Sequence, residues 1–309
     1  MGSINTISLV MRRLKDDWQL MVSIFLGILV ATTLMSGAPV YLDALERQSI
    51  VGSVDSAVAR FSDTYLTIIT ETDFVPVEVQ AIQDTNDVYL EAIERNVAPI
   101  HIGTKRHIRM SFHTVSLPSE STPGAPAGRI AEGFFQNYSG IEDHVTFLAG
   151  GSASDSVKRG TQGPLVEAII SDVLAQEFDG LSVGDVVVLT PSVADPSRVS
   201  ARIVGIFQPT DPTGDYWQGD AEPFVNPRVP DPEGGESTRQ PLVLGMFLTE
   251  NALVQAVGSA FPGAVVDSSW YGSVDKEILK TWSSGEMRWR IDGLTEELAL
   301  SLPGSFVRS

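Results

Sequence analysis

The most prominent feature of the chain is a long apolar segment that no charge interrupts. From Trp18 to Leu42 no residue is charged, and the centre of the segment reads LMVSIFLGILVATTLM. A helix rises about 1.5 Å per residue and needs roughly 20 apolar residues to cross the hydrocarbon core of a bilayer. The pattern therefore predicts a transmembrane helix over residues 18–42, preceded by a short segment at 1–17.

The charges that flank this segment indicate its orientation. Arg12, Arg13 and Lys15 precede it, whereas Asp43 and Glu46 follow it. Basic residues next to a membrane helix favour the cytoplasmic side. We therefore expect a protein of the cytoplasmic membrane with its N-terminus in the cytoplasm and its main part on the extracytoplasmic side.

Two other features bear on the segment. Trp18 and Tyr41 stand near its ends, where aromatic side chains favour the headgroup region. A cleaved signal peptide is an open alternative, because small residues occur at 36–38, although the apolar run exceeds the roughly 7–15 residues of such peptides and Pro39 is a poor cleavage context. A buried helix of a soluble protein is a further alternative, which leaves the basic flank unexplained. Pro39 predicts a kink or helix end at the outer surface.

Beyond the membrane segment the apolar positions take the spacing of an amphipathic helix, which predicts a stalk over residues 43–61. Such a helix either continues from the span, restarts after it, or packs on the domain that follows. The stripe consists of Leu42, Leu45, Val54, Val58 and Phe61.

Residues 62–309 alternate strand and helix signals, which predicts an α+β extracytoplasmic domain with two lobes. The β-branched run at 65–70 predicts a strand, residues 76–96 a helix, and residues 101–115 a second extended segment. Together these form a βαβ-like layer. A strand-rich lobe is predicted at about 130–235.

The clearest local signals lie between residues 164 and 207. After an apolar strand, Ser171 is placed to cap a short helix that ends near Phe178. Turns that contain glycine then separate two further apolar runs. These runs predict strands at 186–190 and 201–207.

Segments rich in proline and glycine mark the irregular parts of the chain. Residues 116–128 predict a loop, and residues 211–235 predict a long surface excursion rather than core. Helical signals return at 276–282 and at 292–302. No second membrane-spanning segment is predicted.

Composition narrows the classes of partner. The chain has 309 residues, of which 43% are hydrophobic, so a sizeable core is expected. The net charge is -18, with 39 acidic and 21 basic residues, which disfavours a surface that neutralises nucleic-acid phosphates. No nucleic-acid partner is therefore expected, and the absence of cysteine excludes disulfides, thiolate metal sites and a cysteine nucleophile.

The sequence offers no recognisable catalytic, cofactor or metal site. It contains no P-loop, G-x-S-x-G or H-E-x-x-H motif, so we predict that the chain is not an enzyme. Each of His101, His107 and His113 lies six residues from the next, which places all three on one face of a continuous strand. Neighbouring histidines would then be roughly 20 Å apart, too far to bind one metal ion. Solvated strand histidines are therefore expected. Residues 211–222 approach an EF-hand count, but Tyr216 stands where that loop needs glycine.

Three blocks of the chain resemble FtsX-like, MacB-type ABC transporter permeases. Residues 12–46 are similar to the first transmembrane helix and outward stalk of that family. The block at 166–189, VEAIISDVLAQEFDGLSVGDVVVL, is similar to its extracytoplasmic core domain, in which an ISxxLA…L.VGD.V.L stretch occurs. The RIVGIF run at 202–207 is similar to the VVGI strand that follows that stretch.

The resemblance implies a permease component that transmits the cycle of a separate ATPase to an outer domain. It implies a homo- or heterodimer with a permease, contact with membrane lipid, no cofactor in this chain and ATP on the separate ATPase subunit. The expected process is export or extraction of lipoprotein, peptide, lipid or drug.

The family places further transmembrane helices after the outer domain, whereas this sequence stops at Ser309. A fragment, a split gene and a stand-alone anchored relative are all open readings of that difference. The alternative function is a membrane-anchored binding or scaffold module without ATPase coupling.

Overall fold

A computed structural model describes the fold of most of the chain. The described residues are 18–60, 66–117, 130–160, 163–191, 197–229, 242–302 and 304–308. They form a mixed α+β architecture around one large mixed sheet of 12 strands. The predicted segment at 1–17 and nearly all of the predicted loop at 116–128 lie outside the described residues.

The helices and strands alternate irregularly along the chain. The helices are α1 (Trp18–Arg60), α2 (Val79–Val97), α3 (Asp172–Glu177), α4 (Glu222–Val225), α5 (Glu250–Ala260), α6 (Lys276–Leu279) and α7 (Ser284–Ser301). The strands are β1 (Leu66–Pro76), β2 (His101–Met110), β3 (His113–Ser116), β4 (Ile130–Tyr138), β5 (Val145–Gly150), β6 (Lys158–Gly160), β7 (Gly163–Ser171), β8 (Val186–Thr190), β9 (Val199–Pro209), β10 (Leu244–Phe247), β11 (Val265–Val274) and β12 (Phe306–Arg308).

Helix α1 is continuous over 43 residues. It does not end at Pro39, although proline removes one backbone hydrogen bond from a helix. Within the described ranges, no helix combines the length and the hydropathy that crossing a bilayer requires. The transmembrane helix at 18–42 therefore stays a prediction.

Six strands close into a ring, which we call the closed ring: β3, β4, β7, β8, β9 and β10. Strand β4 pairs with β3 along one edge and with β10 along the other. The circuit continues from β10 to β7, β9 and β8 and returns to β3. Closure leaves these six strands without a free edge, which protects their backbone groups.

The closed ring depends on a close approach of backbones at Gly133 in β4. A Cβ atom at this position would lie 2.5 Å from the Cγ2 atom of Val115 on β3 and 2.8 Å from the carbonyl oxygen of Leu244 on β10. Because glycine has no Cβ, it lets the three strands meet at this distance.

The remaining main strands extend the sheet as an open wing made of β2, β11, β1 and β12, in that order from β4. Strand β2 joins the closed ring through residues 107–109, which pair with residues 136–138 of β4. Helices α2 and α7 share a hydrophobic core with the wing. The strands of both predicted lobes thus belong to one sheet, and the division into two lobes stays a prediction.

Several sequence predictions are confirmed, and others need correction. The strand at 65–70 is confirmed from Leu66 onward as part of β1, and the helix at 76–96 is confirmed from Val79 onward as α2, because Pro76 still belongs to β1. The extended segment at 101–115 breaks after Met110 and forms β2 and β3. The sequence interpretation missed α5 and β11, although β11 lies inside the open wing between β2 and β1.

The predicted surface excursion at 211–235 is wrong for its first half. Tyr216 and Trp217 are 4% and 1% exposed, and they belong to a hydrophobic cluster that also contains Tyr138. Large aromatic side chains gain more from burial than the neighbouring Pro, Gly and Asp residues gain from exposure, so this segment folds back onto the sheet. Residues 230–235 lie outside the described residues.

Candidate functional site

The first candidate is the exposed apolar surface of α1. Every described side chain from residue 22 to residue 36 is exposed. The large apolar side chains among them are Val22, Ile24, Phe25, Leu26, Ile28, Leu29, Val30, Leu34 and Met35, with exposures between 49% and 80%. A helix that is apolar around its whole circumference and exposed marks contact with a membrane or a partner.

The predicted topology residues fall at the two ends of this surface. Trp18 and Tyr41 are 57% and 67% exposed, and 23 helical steps place them about 35 Å apart along the axis. That separation slightly exceeds the roughly 30 Å thickness of a bilayer hydrocarbon core. Arg12, Arg13 and Lys15 lie outside the described residues.

The second candidate is a cleft of about 440 Å³ at the end of β9. It forms where a 3-10 turn at Ile141–His144 meets the segment that follows β9. Its lining residues are Lys105, Asp143, His144, Thr210, Asp211, Thr213, Gly214, Asp215, Tyr216 and Trp217. Clefts of this size commonly accept small ligands.

Tyr216 organises the wall of the cleft. Its carbonyl oxygen accepts a hydrogen bond of 2.6 Å from the Tyr138 hydroxyl, and its own hydroxyl donates to the carbonyl oxygen of Ser139 at 3.1 Å. The His144 ring stacks on the Tyr216 ring, with centroids 3.8 Å apart. The Lys105 Nζ atom lies 5.4 Å from the Tyr216 centroid and donates to the Asp215 carbonyl oxygen at 3.3 Å.

Burial and neighbouring charges set the electrostatics of the cleft. Burial lowers the pKa of Lys105, and the nearby Asp215 carboxylate opposes that shift. Burial and the Lys105 charge lower the pKa of His144, so this ring is neutral at pH 7. Trp217 borders the cleft, and its buried Nε1–H has no hydrogen-bond partner among the described residues. The polar groups of the cleft come from its lysine, histidine, threonine and aspartate side chains.

The three predicted strand histidines differ from one another. His107 is 8% exposed and shares a 2.9 Å hydrogen bond with the Gln136 side chain, so the prediction of three solvated histidines is wrong at this position. His101 lies on β2 and His113 on β3, on either side of the strand break. Burial lowers the pKa of His107 to about 4, which keeps its ring neutral.

The segment that approaches an EF-hand count forms a local turn. The Asp211 Oδ1 atom accepts hydrogen bonds from both the backbone N–H and the hydroxyl of Thr213, each at 3.2 Å. This pairing is typical of an Asx turn. In the part of the chain that the structure describes, no group of three or more His, Asp or Glu residues is placed to hold a metal ion.

Comparison with known proteins finds similarity to a solved structure. No protein-family model matches the chain. No curated protein matches it either. The extracellular domain of a noncanonic ABC-type transporter, YknZ, from Gram-positive bacteria is similar over 78% of this chain and 100% of that chain, with 13% identity and a TM-score of 0.37.

Proposed function

We propose that this chain is a membrane-anchored component of an ABC transporter of the FtsX-like, MacB type. In this proposal residues 18–42 lie in the bilayer and the mixed sheet lies on the extracytoplasmic side. The observation that carries it is the fully exposed apolar surface of α1 at residues 22–36. The uncharged run of the sequence extends this surface to the length that a span needs.

Burial of this surface in lipid accounts for its composition. Each large aliphatic or aromatic side chain contributes about 1.5–3 kcal/mol when it leaves water, so the exposed set along α1 contributes on the order of 10 kcal/mol. A free helix in water forgoes that gain. A lipid environment supplies it around the whole circumference, whereas a single protein groove covers only one face.

The transporter part of the proposal rests on the blocks that resemble the permease family. Their local structure agrees with the sequence interpretation, because Ser171 caps α3 through the Leu174 N–H and Gly184 takes φ 105° in the turn before β8. Strands β7, β8 and β9 are neighbours in the closed ring. A separate ATPase subunit, a dimeric permease and surrounding lipid are the partners we propose, with the ATPase cycle coupled to the outer domain.

The topology is tested by cysteine labelling, for which the cysteine-free sequence provides a clean background. We expect a membrane-impermeant maleimide to label Ser152→Cys in intact cells, because Ser152 is exposed in the outer domain. Ser8→Cys should be labelled only after lysis. The reverse pattern, or recovery of the full chain in the soluble fraction, contradicts the anchored topology.

ATPase coupling needs a separate test, because an anchored domain is able to exist without it. We expect the full chain, purified from membranes of its natural host, to retain an ABC ATPase subunit. The matched control replaces Leu26 with Lys, which we expect to weaken membrane insertion and to lose the ATPase. Retention of no ATPase by the wild type leaves the anchored domain intact but contradicts the transporter part.

A membrane-anchored binding module is the second candidate, and the cleft at the end of β9 favours it. The cleft brings Lys105, His144 and the Trp217 indole to one place. Under this function we expect the chain to be purified without an ATPase subunit. We also expect the purified wild-type chain to retain a small ligand and Tyr216→Ala to lose it. The pull-down described above therefore separates the two candidates.

A further inference from the structure

Phe74 combines exposure with backbone strain. Its side chain is 75% exposed. Its φ angle is 61°, in the left-handed region that a bulky residue rarely adopts. The register of β1 against β11 shifts between Thr72 and Val75, so Phe74 stands in a β-bulge. Strain of this kind persists only where the surrounding structure imposes it, and it concentrates at functional positions.

Neighbouring residues hold the bulge in place. Thr72 and Val75, on either side, are 3% and 6% exposed and fix the strand on the sheet. The backbone N–H of Phe74 donates to the carboxylate of Asp267 on β11. Asp267 in turn lies 3.9 Å from the Arg109 guanidinium. Two buried anchors and one carboxylate thus present an aromatic side chain to solvent.

Acidic residues and a further exposed apolar residue lie close to Phe74 in the sequence or contact its backbone. Asp73 precedes it and acts electrostatically on Asp267. Glu78 and Val79 follow where the chain enters α2, and both are exposed, Val79 by 51%. An exposed apolar centre with a charged rim has the anatomy of a protein interface.

We propose that Phe74 is a docking point for a partner protein that offers an apolar pocket rimmed by basic side chains. Charge complementarity selects this occupant, because the carboxylates of Asp73 and Asp267 outnumber the Arg109 guanidinium in this group. An anionic lipid surface is disfavoured by the same carboxylates. Phe74 is also eight residues beyond the start of β1, about 27 Å along the strand from the end that follows α1.

This docking inference does not depend on the transporter assignment. The docking point itself rests on the exposure, the φ angle and the acidic rim. A chain that retains no ATPase but still engages a partner through Phe74 contradicts the proposed function and leaves this inference intact.

A purely structural role for Phe74 makes a different prediction about stability. Glycine adopts a φ of +60° without steric cost, and little apolar contact is lost from a side chain that is 75% exposed. We therefore expect Phe74→Gly in the full chain to melt at the same temperature as the wild type or higher. A clear fall in melting temperature shows that Phe74 serves packing and overturns the inference.

Binding is tested with a photoreactive benzoylphenylalanine placed at position 74 of the full chain in its natural host. The matched control carries the same group at position 289, because Trp289 is also exposed, by 72%. We expect a protein adduct from position 74 and not from position 289. The adduct partner, once purified, should bind wild type and Trp289→Ala alike, and bind Phe74→Gly at least about tenfold more weakly.

The charge of the partner is tested with a second variant. Asp73→Asn should weaken binding of the purified partner and reduce its dependence on salt, because a rim carboxylate acts through screened attraction. The inference is overturned by the absence of an adduct at position 74, by equal adducts at both positions, by an adduct with lipid alone, or by unchanged binding of Phe74→Gly.

Discussion

The closed ring and the open wing protect one continuous sheet in different ways. In the closed ring each strand has a neighbour at both edges. The hydrophobic cluster that contains its strands is mostly aliphatic and also includes residues of α3 and α5. The open wing ends at the three-residue strand β12 and relies on α2 and α7 to cover its core. Strand pairing alone protects the edges of the closed ring, whereas the open wing also needs side chains that hold its helices against its strands.

The core of the open wing shows those ties. Trp270 on β11 stacks on Tyr89 of α2 with ring centroids 4.9 Å apart. The Trp270 Nε1 atom donates to the Asn86 side chain at 3.1 Å. On α7 the Arg290 guanidinium lies 4.8 Å from the centre of the Trp282 ring. Contacts of aromatic side chains with a neighbouring ring or polar group therefore stabilise the open wing, whereas continuous strand pairing stabilises the closed ring.

The largest effect that would break this comparison comes from Trp270. We expect Trp270→Ala to lower the free energy of unfolding by about 3–5 kcal/mol, because it removes a fully buried ring and its stack on Tyr89. Chemical denaturation measures the loss. Trp289→Ala, at an exposed position of α7, serves as the control and should stay within about 0.5 kcal/mol. A small loss for Trp270→Ala would show that the helices are not held by these rings.

The next effect concerns His107, which lies where the wing joins the ring. Burial lowers its pKa in the folded state to about 4, from the usual value of about 6.5. Because the folded state resists protonation, this group removes stability as the pH falls from about 6.5 to 4 and removes no more below that. The loss attributable to His107 amounts to about 3 kcal/mol.

His107→Gln isolates this contribution, since glutamine keeps a hydrogen-bonding group near Gln136 but does not titrate. The difference in unfolding free energy between variant and wild type, followed from pH 7 to pH 4, should shift by that amount in favour of the variant. The carboxylates titrate in both proteins, so their contributions to the unfolding free energy cancel in the difference. A difference that stays constant with pH would place the ring of His107 in water.

The smallest effect compares a helix cap in each region. Ser171 caps α3 in the closed ring, and its hydroxyl also donates to the Asn226 side chain at 2.6 Å in a buried site. Ser283 caps α7 in the open wing through the Glu286 N–H alone. We expect Ser171→Ala to cost about 2 kcal/mol and Ser283→Ala about 1 kcal/mol, measured by thermal unfolding. Equal costs would mean that the buried bond to Asn226 adds nothing.

Local signals in the sequence predicted the elements whose causes are local. Ser171 as a cap and the strand at 186–190 are confirmed with close bounds. Strand β11 was missed because its sequence, VVDSSWYGSV, breaks the apolar alternation, although Ser268 is buried within the sheet at 2% exposure. A buried serine inside a sheet has no signature in hydrophobic periodicity.

Long-range features were beyond the reach of local patterns. The parallel pairing of β10 with β4 closes the ring between segments more than a hundred residues apart, and no turn or spacing encodes it. The cleft at the end of β9 depends on the burial of Tyr216, which the surrounding Pro, Gly and Asp residues concealed. The bulge at Phe74 likewise follows from the shift in register between β1 and β11.

The close approach at Gly133 has a consequence for tracing ancestry. Any larger residue there meets a backbone carbonyl oxygen, which cannot rotate away as a flexible side chain does. A descendant or a designed variant that alters this position must therefore re-route a whole strand. We expect homologues to keep glycine at this position, together with segments able to form β3 and β10, even when their overall sequence identity is no higher than chance. Unrelated sequences of similar composition need not do so.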